Sequence, residues 1–284
     1  MMRLTVDTID QVIEVIISKE SVRLDLTGVG FIDPYSLLLL VLSLRYRQMF
    51  GSPLAVRWPV RKDALGWMRA MGFFAEIDDP KRTWRSEASS RSDALQPITH
   101  ITREDSVSRL VNAFDKRLHE RYPLTDEARN ALVKIMFELF QNIPQHSNAT
   151  GEVSDPYGLA AMQDYTDSIF LAVADMGIGL ARSLSTREGL MDLSDGSALN
   201  RIVYDGLSRF SDPGRGGELR RIAQLARRWD GLLIIRSGEA LLYMDAERGD
   251  IYDAPYFPGV QIGLRLSRRV FGIDSPMVDN GAFL

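Results

Sequence analysis

Two α/β units joined by a polar linker are predicted, and three observations predict them. Residues 1–78 alternate strand-patterned and helix-patterned segments, which builds a small α/β domain on a largely parallel sheet. Residues 97–270 put amphipathic helices first and strand-patterned segments after them. That order builds a two-layer α/β sandwich on a mixed, mostly antiparallel sheet. Between the two, residues 79–96 hold Lys81, Arg82, Arg85 and Arg91 among several serines and have no apolar period. Residues 271–284 remain as a C-terminal tail.

In the first unit, Ile9, Val12, Ile13, Ile16 and Ile17 recur at helical spacing. Ser21 to Leu26 alternates instead, with Val22, Leu24 and Leu26 to one side and Arg23 and Asp25 to the other, a strand pattern. Gly28, Gly30, Asp33 and Pro34 punctuate its end. A helix follows from about Tyr35 to Met49, closed by Gly51. Leu54 to Trp58 is the next strand, and Ala64 to Met71 a short helix stopped by Gly72, with Phe73, Phe74 and Ile77 as its packing tail.

The second unit opens with an amphipathic helix, Ser106 to His119, that lines up Val107, Leu110, Val111, Phe114 and Leu118. Thr125 is placed to cap a second helix beginning near Asp126, whose stripe is Ala131, Leu132, Ile135, Met136, Leu139 and Ile143. Pro144 removes a backbone donor and is expected to bend or end that helix. Leu159 to Asp164 and Ile169 to Ala174 read as adjacent strands. Leu180 to Asp212 is long, polar in its middle and broken by glycines, which suits a lid, with a helix over Ala198 to Leu207 inside it. Glu218 to Trp229 is a basic amphipathic helix that Gly231 is placed to close. Leu232 to Ile235 and Ala240 to Met244 read as a hairpin around Ser237-Gly238, and Gln261 to Leu266 as the last strand.

Composition narrows the classes. Of 284 residues, 45% are hydrophobic and 25% charged, the balance of a soluble globular chain. A formal charge of -4 argues against a dedicated nucleic-acid binder. Without cysteine there are no disulfides or thiolate metal sites, and three scattered histidines make a poor zinc set. The most apolar run, Leu37 to Leu44, is far short of the ~20 residues that cross a bilayer. The first residues lack a signal-peptide layout, so a cytoplasmic location is the expectation.

Three stretches can carry chemistry. Glu138 and Asn142 are four residues apart, hence stacked on one helix face, with His146 a turn further on. An acid and an amide so arranged can share a metal ion or an ordered water, and a plain packing helix can carry them too. Asp175-Met176-Gly177-Ile178-Gly179 follows a strand, its glycines permitting positive φ and a close backbone approach. Gly214-Arg215-Gly216-Gly217 precedes a helix, where free N–H groups can receive an anion. Arg215 is a candidate contact for such an anion, and Arg209 can reach it if the lid folds over.

In order and interval these pieces resemble the ATP-binding domain of the gyrase, Hsp90, histidine-kinase and MutL superfamily, over about residues 97 to 270. Within it the anti-sigma-factor type is the nearest. The resemblance implies a Bergerat-type sandwich binding ATP with Mg2+. It implies Asp175 as acceptor for the adenine amine, with Gly177 and Gly179 beside the base. It further implies Asn142 as the Mg2+ ligand, Glu138 as general base, His146 near the phosphates, and Gly214, Gly216 and Gly217 as the phosphate cradle. Glu218 stands where the family has a last glycine and is expected to repel a triphosphate.

The first unit resembles a STAS domain, on the strand, Gly28-Val29-Gly30-Phe31-Ile32-Asp33, the long apolar helix and the Met71-Gly72-Phe73-Phe74 close. That family's strand-to-helix turn reads Asp-Ser-Ser-Gly and carries a phosphorylated serine. Here the turn is Asp33-Pro34-Tyr35-Ser36, with Tyr35 at the phosphoacceptor position. The expected function is therefore an Mg2+-dependent ATP-binding regulator that acts on a protein partner, hydrolysing ATP or transferring its phosphate. The alternative is a non-catalytic, nucleotide-gated interaction module. Neither membrane nor nucleic acid is an expected partner, and homo-oligomerisation is left open.

Overall fold

The computed structural model describes residues 2–18, 20–49, 51, 54–78, 95–102, 104–122, 124–146, 158–187, 190, 192–209 and 217–268. It is a mixed α/β fold. The first segment runs β1 (Met2–Leu4), α1 (Ile9–Ile17), β2 (Arg23–Asp25), β3 (Val29–Ile32), α2 (Pro34–Met49), β4 (Ala55–Arg57), α3 (Lys62–Ala70) and α4 (Phe73–Asp78). Its two strand pairs, β1 with β3 and β2 with β4, are both parallel. Strands β1 and β3 have three and four residues. Segments that short carry too little alternation to be read, and the sequence pattern presents β3 as part of a turn.

Helix α2 is the centre of the molecule. Tyr35 to Leu44 is buried at every position, as expected of a helix with no polar face. Part of what buries it belongs to the second segment. There the chain runs β5 (Leu95–Ile101), α5 (Glu104–Arg121), α6 (Asp126–His146), β6 (Gly158–Asp164), β7 (Ser168–Asp175), α7 (Gly179–Leu184), α8 (Asp195–Asn200), a π-helical turn (Arg201–Asp205), α9 (Glu218–Arg228), β8 (Leu232–Met244) and β9 (Gly249–Ser267). Five of these form one sheet in the order β5-β6-β7-β9-β8. All four pairings are antiparallel, where a mixed sheet was expected.

Alternate residues of these strands enter different cores. Leu171 and Val173 of β7 pack in one with Phe114, Ile135, Leu139 and Ile222 from α5, α6 and α9. Phe170, Ala172 and Ala174 pack in the other with Tyr35 and Leu37–Leu42 of α2. Strand β7 is consequently buried at all eight positions and lacks the polar alternation of a half-exposed strand. The second unit by itself has two layers, α5, α6 and α9 against one face of the sheet, and α2 with the rest of the first segment covers the other face as a third. At Gly263 of β9 a Cβ would meet Phe170 at 3.0 Å and Tyr35 at 3.2 Å, so the missing side chain lets α2 close on the sheet.

Polar ties cross the same boundary. Arg236 of β8 is fully buried, paired with Asp10 of α1, and donates from Nη1 to the Pro255 carbonyl at 2.9 Å. Glu76 of α4 takes Arg45 Nη2 at 2.9 Å and has His100 Nε2 of β5 at 2.9 Å. Burial pulls the His100 pKa down from its ordinary value, against the upward pull of Glu76. The expected linker ends two residues early, because Leu95 and Gln96 already belong to β5 and pair with β6.

Three local expectations are corrected. Helix α6 continues through Pro144 to His146. The segment expected as a lid also contributes to the core: Leu184, Leu190, Ala198, Leu199, Ile202 and Val203 are buried, between residues that are partly or fully exposed. Within it Ser194 caps α8, its Oγ accepting the Ser197 N–H, and Asp195 accepts the Glu239 N–H of β8 at 2.9 Å. Ser237-Gly238 is an irregularity inside one long strand, β8, not a hairpin turn. The turn comes later, where Asp245 Oδ1 accepts the N–H groups of Glu247 and Arg248, both at 2.9 Å.

Candidate functional site

Helix α6 starts where Thr125 Oγ1 accepts the Ala128 N–H at 3.2 Å, with Asp126 and Glu127 in the first turn complementing the helix dipole. Ile135, Met136, Leu139, Phe140 and Ile143 bury one face, which fixes its rotation about its axis. Glu138 and Asn142 are thereby turned toward a cavity of about 580 Å³. The end of β7, α7, the π-helical turn, the start of α9 and residues Val260 and Ile262 complete its wall. Glu138, Asn142, Asp175, Gly179, Arg209 and Gly217 all line it. Five residues singled out from three distant stretches of sequence, with Arg209 besides, meet around one space. Gly214, Arg215 and Gly216 and the His146 side chain lie outside the described residues.

Asp175 ends β7 and is only 6% exposed. Its Oδ1 accepts two N–H groups, from Gly177 at 2.7 Å and Val260 at 3.3 Å, while Gln261 Nε2 donates to its carbonyl at 2.9 Å. Among the described residues no protein group donates to Oδ2. Burial pushes the carboxyl up from 3.8 to about 6, the two N–H donors opposing it. The result is a fixed acceptor with one oxygen satisfied by backbone and the other available to a donor in the cavity.

Gly177 contributes through its N–H, and Gly179 through its φ of +77°, from which α7 departs. A Cβ on Gly179 would come within 3.0 Å of Ser237 Oγ, which accepts the Leu180 N–H at 2.8 Å. Gly259 was not singled out from the sequence. At its φ of +83°, a Cβ would run into the Asp175 carbonyl and carboxylate.

The start of α9 forms the opposite wall. Gly217 has φ +75° and precedes Glu218 and Leu219, and all three face the cavity. Glu218 does not stand alone there, as the sequence had suggested. Arg221 Nη2 lies 3.6 Å from Glu218 Oε1 and donates to Glu138 Oε1 at 3.1 Å. One guanidinium thus bridges the first turn of α9 and the acid of α6. Arg221 went unnoticed in the sequence, where only its i,i+3 spacing from Glu218 marked it. Lys134, one turn before Glu138, and Phe137 also line the cavity and were likewise missed.

The lining is mixed in charge: Glu138, Asp175 and Glu218 are acidic, Lys134 and Arg209 basic. Among the described residues no three His, Cys, Asp or Glu side chains gather into a metal cage. A Mg2+ ion that keeps most of its waters needs only one or two protein oxygens, and the Asn142 amide facing the cavity beside Glu138 fits that demand. Among the described residues no helix is long and apolar enough to cross a membrane. The chain matches no protein-family model and no curated protein sequence.

Proposed function

We propose that the chain is a Mg2+-dependent adenine-nucleotide-binding regulator, built from a STAS-like first segment and a Bergerat-type ATP-binding second segment. The observation that carries this reading is the convergence on one cavity of Glu138 and Asn142 from α6, Asp175 and Gly179 from the β7–α7 turn, and Gly217 from the start of α9. A volume of about 580 Å³ is in the range of small-molecule sites. Asp175 accepts the exocyclic amine of adenine and refuses the carbonyl that guanine carries at the equivalent position. Asn142 would hold a Mg2+ ion, which when bound neutralises charge on the phosphate oxygens. Lys134 and Arg209 supply further positive charge at the cavity wall.

Glu138 is the residue for turnover. It takes a proton from a water molecule as the water oxygen bonds to the terminal phosphorus. The bond from that phosphorus to the bridging oxygen breaks, and the diphosphate leaves with its electron pair. If a hydroxyl of a partner protein replaces water, the same proton transfer gives phosphorylation. A second reading, nucleotide binding that only sets the shape of a docking surface, is favoured by the hold of Arg221 on Glu138.

Displacement of a fluorescent ADP analogue and release of inorganic phosphate, measured on wild type and Glu138→Gln, separate these. We expect both proteins to bind and the variant to turn over at least about 100-fold more slowly. Equal binding with no turnover in either protein selects the second reading. A flat titration of the wild type with ATP and Mg2+ removes both.

A further inference from the structure

We propose that Arg221 is a positioning residue that distinguishes a triphosphate from a diphosphate and releases Glu138 only for the former, an inference that rests on the nucleotide-binding reading above. Two carboxylates share its guanidinium: Glu138 Oε1 at 3.1 Å and Glu218 Oε1 at 3.6 Å. Both carboxylates line the cavity, Glu138 from α6 and Glu218 from the start of α9, and Arg221 joins them beside Gly217, its Nη1 3.7 Å from where a Cβ on that glycine would stand. The two ends of the main pair differ in access. The Glu138 side chain is 13% exposed and that of Arg221 42%. The acid is therefore fixed in a partly dry wall, while the more exposed cation can exchange partners by rotation of its long side chain.

A guanidinium held by a carboxylate is blocked from other anions, and the carboxylate is engaged in a charge-assisted hydrogen bond. A terminal phosphate presents three acceptor oxygens and up to two negative charges to the same planar fork, and so competes well against a single carboxylate. When Arg221 turns to that phosphate, Glu138 loses its partner and is left to accept a proton. A diphosphate offers no such group, and the bridge persists. Arg221 also decides what Glu218 does. With the cation beside it, the acid at the start of α9 is screened from a neighbouring phosphate; without Arg221 that screening is lost.

The test compares Kd values for ATP and for ADP, at fixed Mg2+, by displacement of a fluorescent ADP analogue from the full chain. Wild type, Arg221→Ala, Arg221→Lys and Arg227→Ala are compared, Arg227 being an exposed arginine of α9 outside the cavity lining. Arg221→Ala is expected to weaken ATP about 10-fold and ADP less than about 3-fold, collapsing the preference for triphosphate, since one charge-assisted bond is lost only with ATP. Arg221→Lys restores part of that preference, because a point charge replaces the fork. Arg227→Ala leaves both affinities unchanged. Equal weakening of ATP and ADP, or none, in both Arg221 variants while the wild type binds normally overturns the proposal and leaves the nucleotide reading intact. A wild type that binds neither nucleotide overturns both.

Discussion

Replacing Asp175 with asparagine is expected to abolish adenine-nucleotide binding while making the empty protein more stable at neutral pH. The loss follows from the chemistry of the cavity face. Oδ2 is an acceptor without a protein donor, and an asparagine side chain in its place presents an N–H2 group to a ligand amine. Two donors then oppose each other in a buried site, and mismatches of that kind weaken binding by about 1000-fold or more. The gain follows from burial. The carboxyl titrates at about 6 in the folded chain against an ordinary 3.8, so the folded state binds its proton more tightly than the unfolded one. Above about pH 6 the fold carries the cost of a buried charge, about 1–3 kcal/mol, and stability rises as pH falls from about 6 toward 4. The amide oxygen of asparagine keeps both backbone N–H bonds without that charge. Thermal melts from pH 4 to 8 should show the slope in wild type and not in the variant. Nucleotide affinity of wild type should fall about tenfold per unit below pH 6, as the acceptor is protonated. A variant that binds as tightly as wild type, or melts earlier at pH 7, defeats this account of Asp175.

A charge at Ser36 is expected to unfold the molecule. Ser36 is 0% exposed, Tyr35 beside it 1%, and both lie in the first turn of α2 where it meets the sheet. The Ser36 N–H already serves the neighbouring buried carboxylate, Asp33 Oδ1, at 2.7 Å. Burial lifts the Asp33 carboxyl to about 6, so this pocket resists even one negative charge. Ser36→Asp adds a second, without a cation paired to it, at a cost of about 4 kcal/mol or more, much of the stability of an ordinary domain. Ser36→Ala removes a small buried hydroxyl beside Asp33 and leaves the backbone N–H bond to that carboxylate in place, so stability should change by only about 1 kcal/mol. Urea midpoints of the two variants test this, and a Ser36→Asp protein as stable as wild type would show α2 to be undocked in solution. The same burial bears on the STAS resemblance. A kinase can reach neither Tyr35 nor Ser36 while α2 lies against β7 and β9, so phosphorylation at this turn requires undocking first.

Which parts of this were legible in the sequence follows from how locally each is encoded. Helices α1, α5, α6 and α9 bury residues at regular intervals and β6 and β7 are short, nearly unbroken apolar runs, and all six could be read within a residue or two. The all-apolar run of α2 did announce burial on every side, but not that strands β6, β7 and β9 of the second segment supply one of those sides. The polar residues around Ser194 and Asp195 looked like loop because a cap and a solvated turn have the same composition; only the Glu239 partner tells them apart. At the site, the spacing of Glu138 with Asn142 and of Asp175 with Gly179 is local and was readable. Arg221 finds Glu138 across 83 positions and Val260 finds Asp175 across 85, and no local pattern records such meetings.

The interlocked cores have one more consequence. A polypeptide ending at Asp78 and another beginning at Leu95 would each expose the apolar surface that the other covers, α2 on one and Phe170, Ala172, Ala174 and Ile234 on the other. Such fragments are poor candidates for separate life and good ones for complementation: mixed from denaturant, they should find each other and rebuild a single non-covalent particle. The peptide connection between them sets their local concentration; the fit of one half to the other is written in the surfaces themselves.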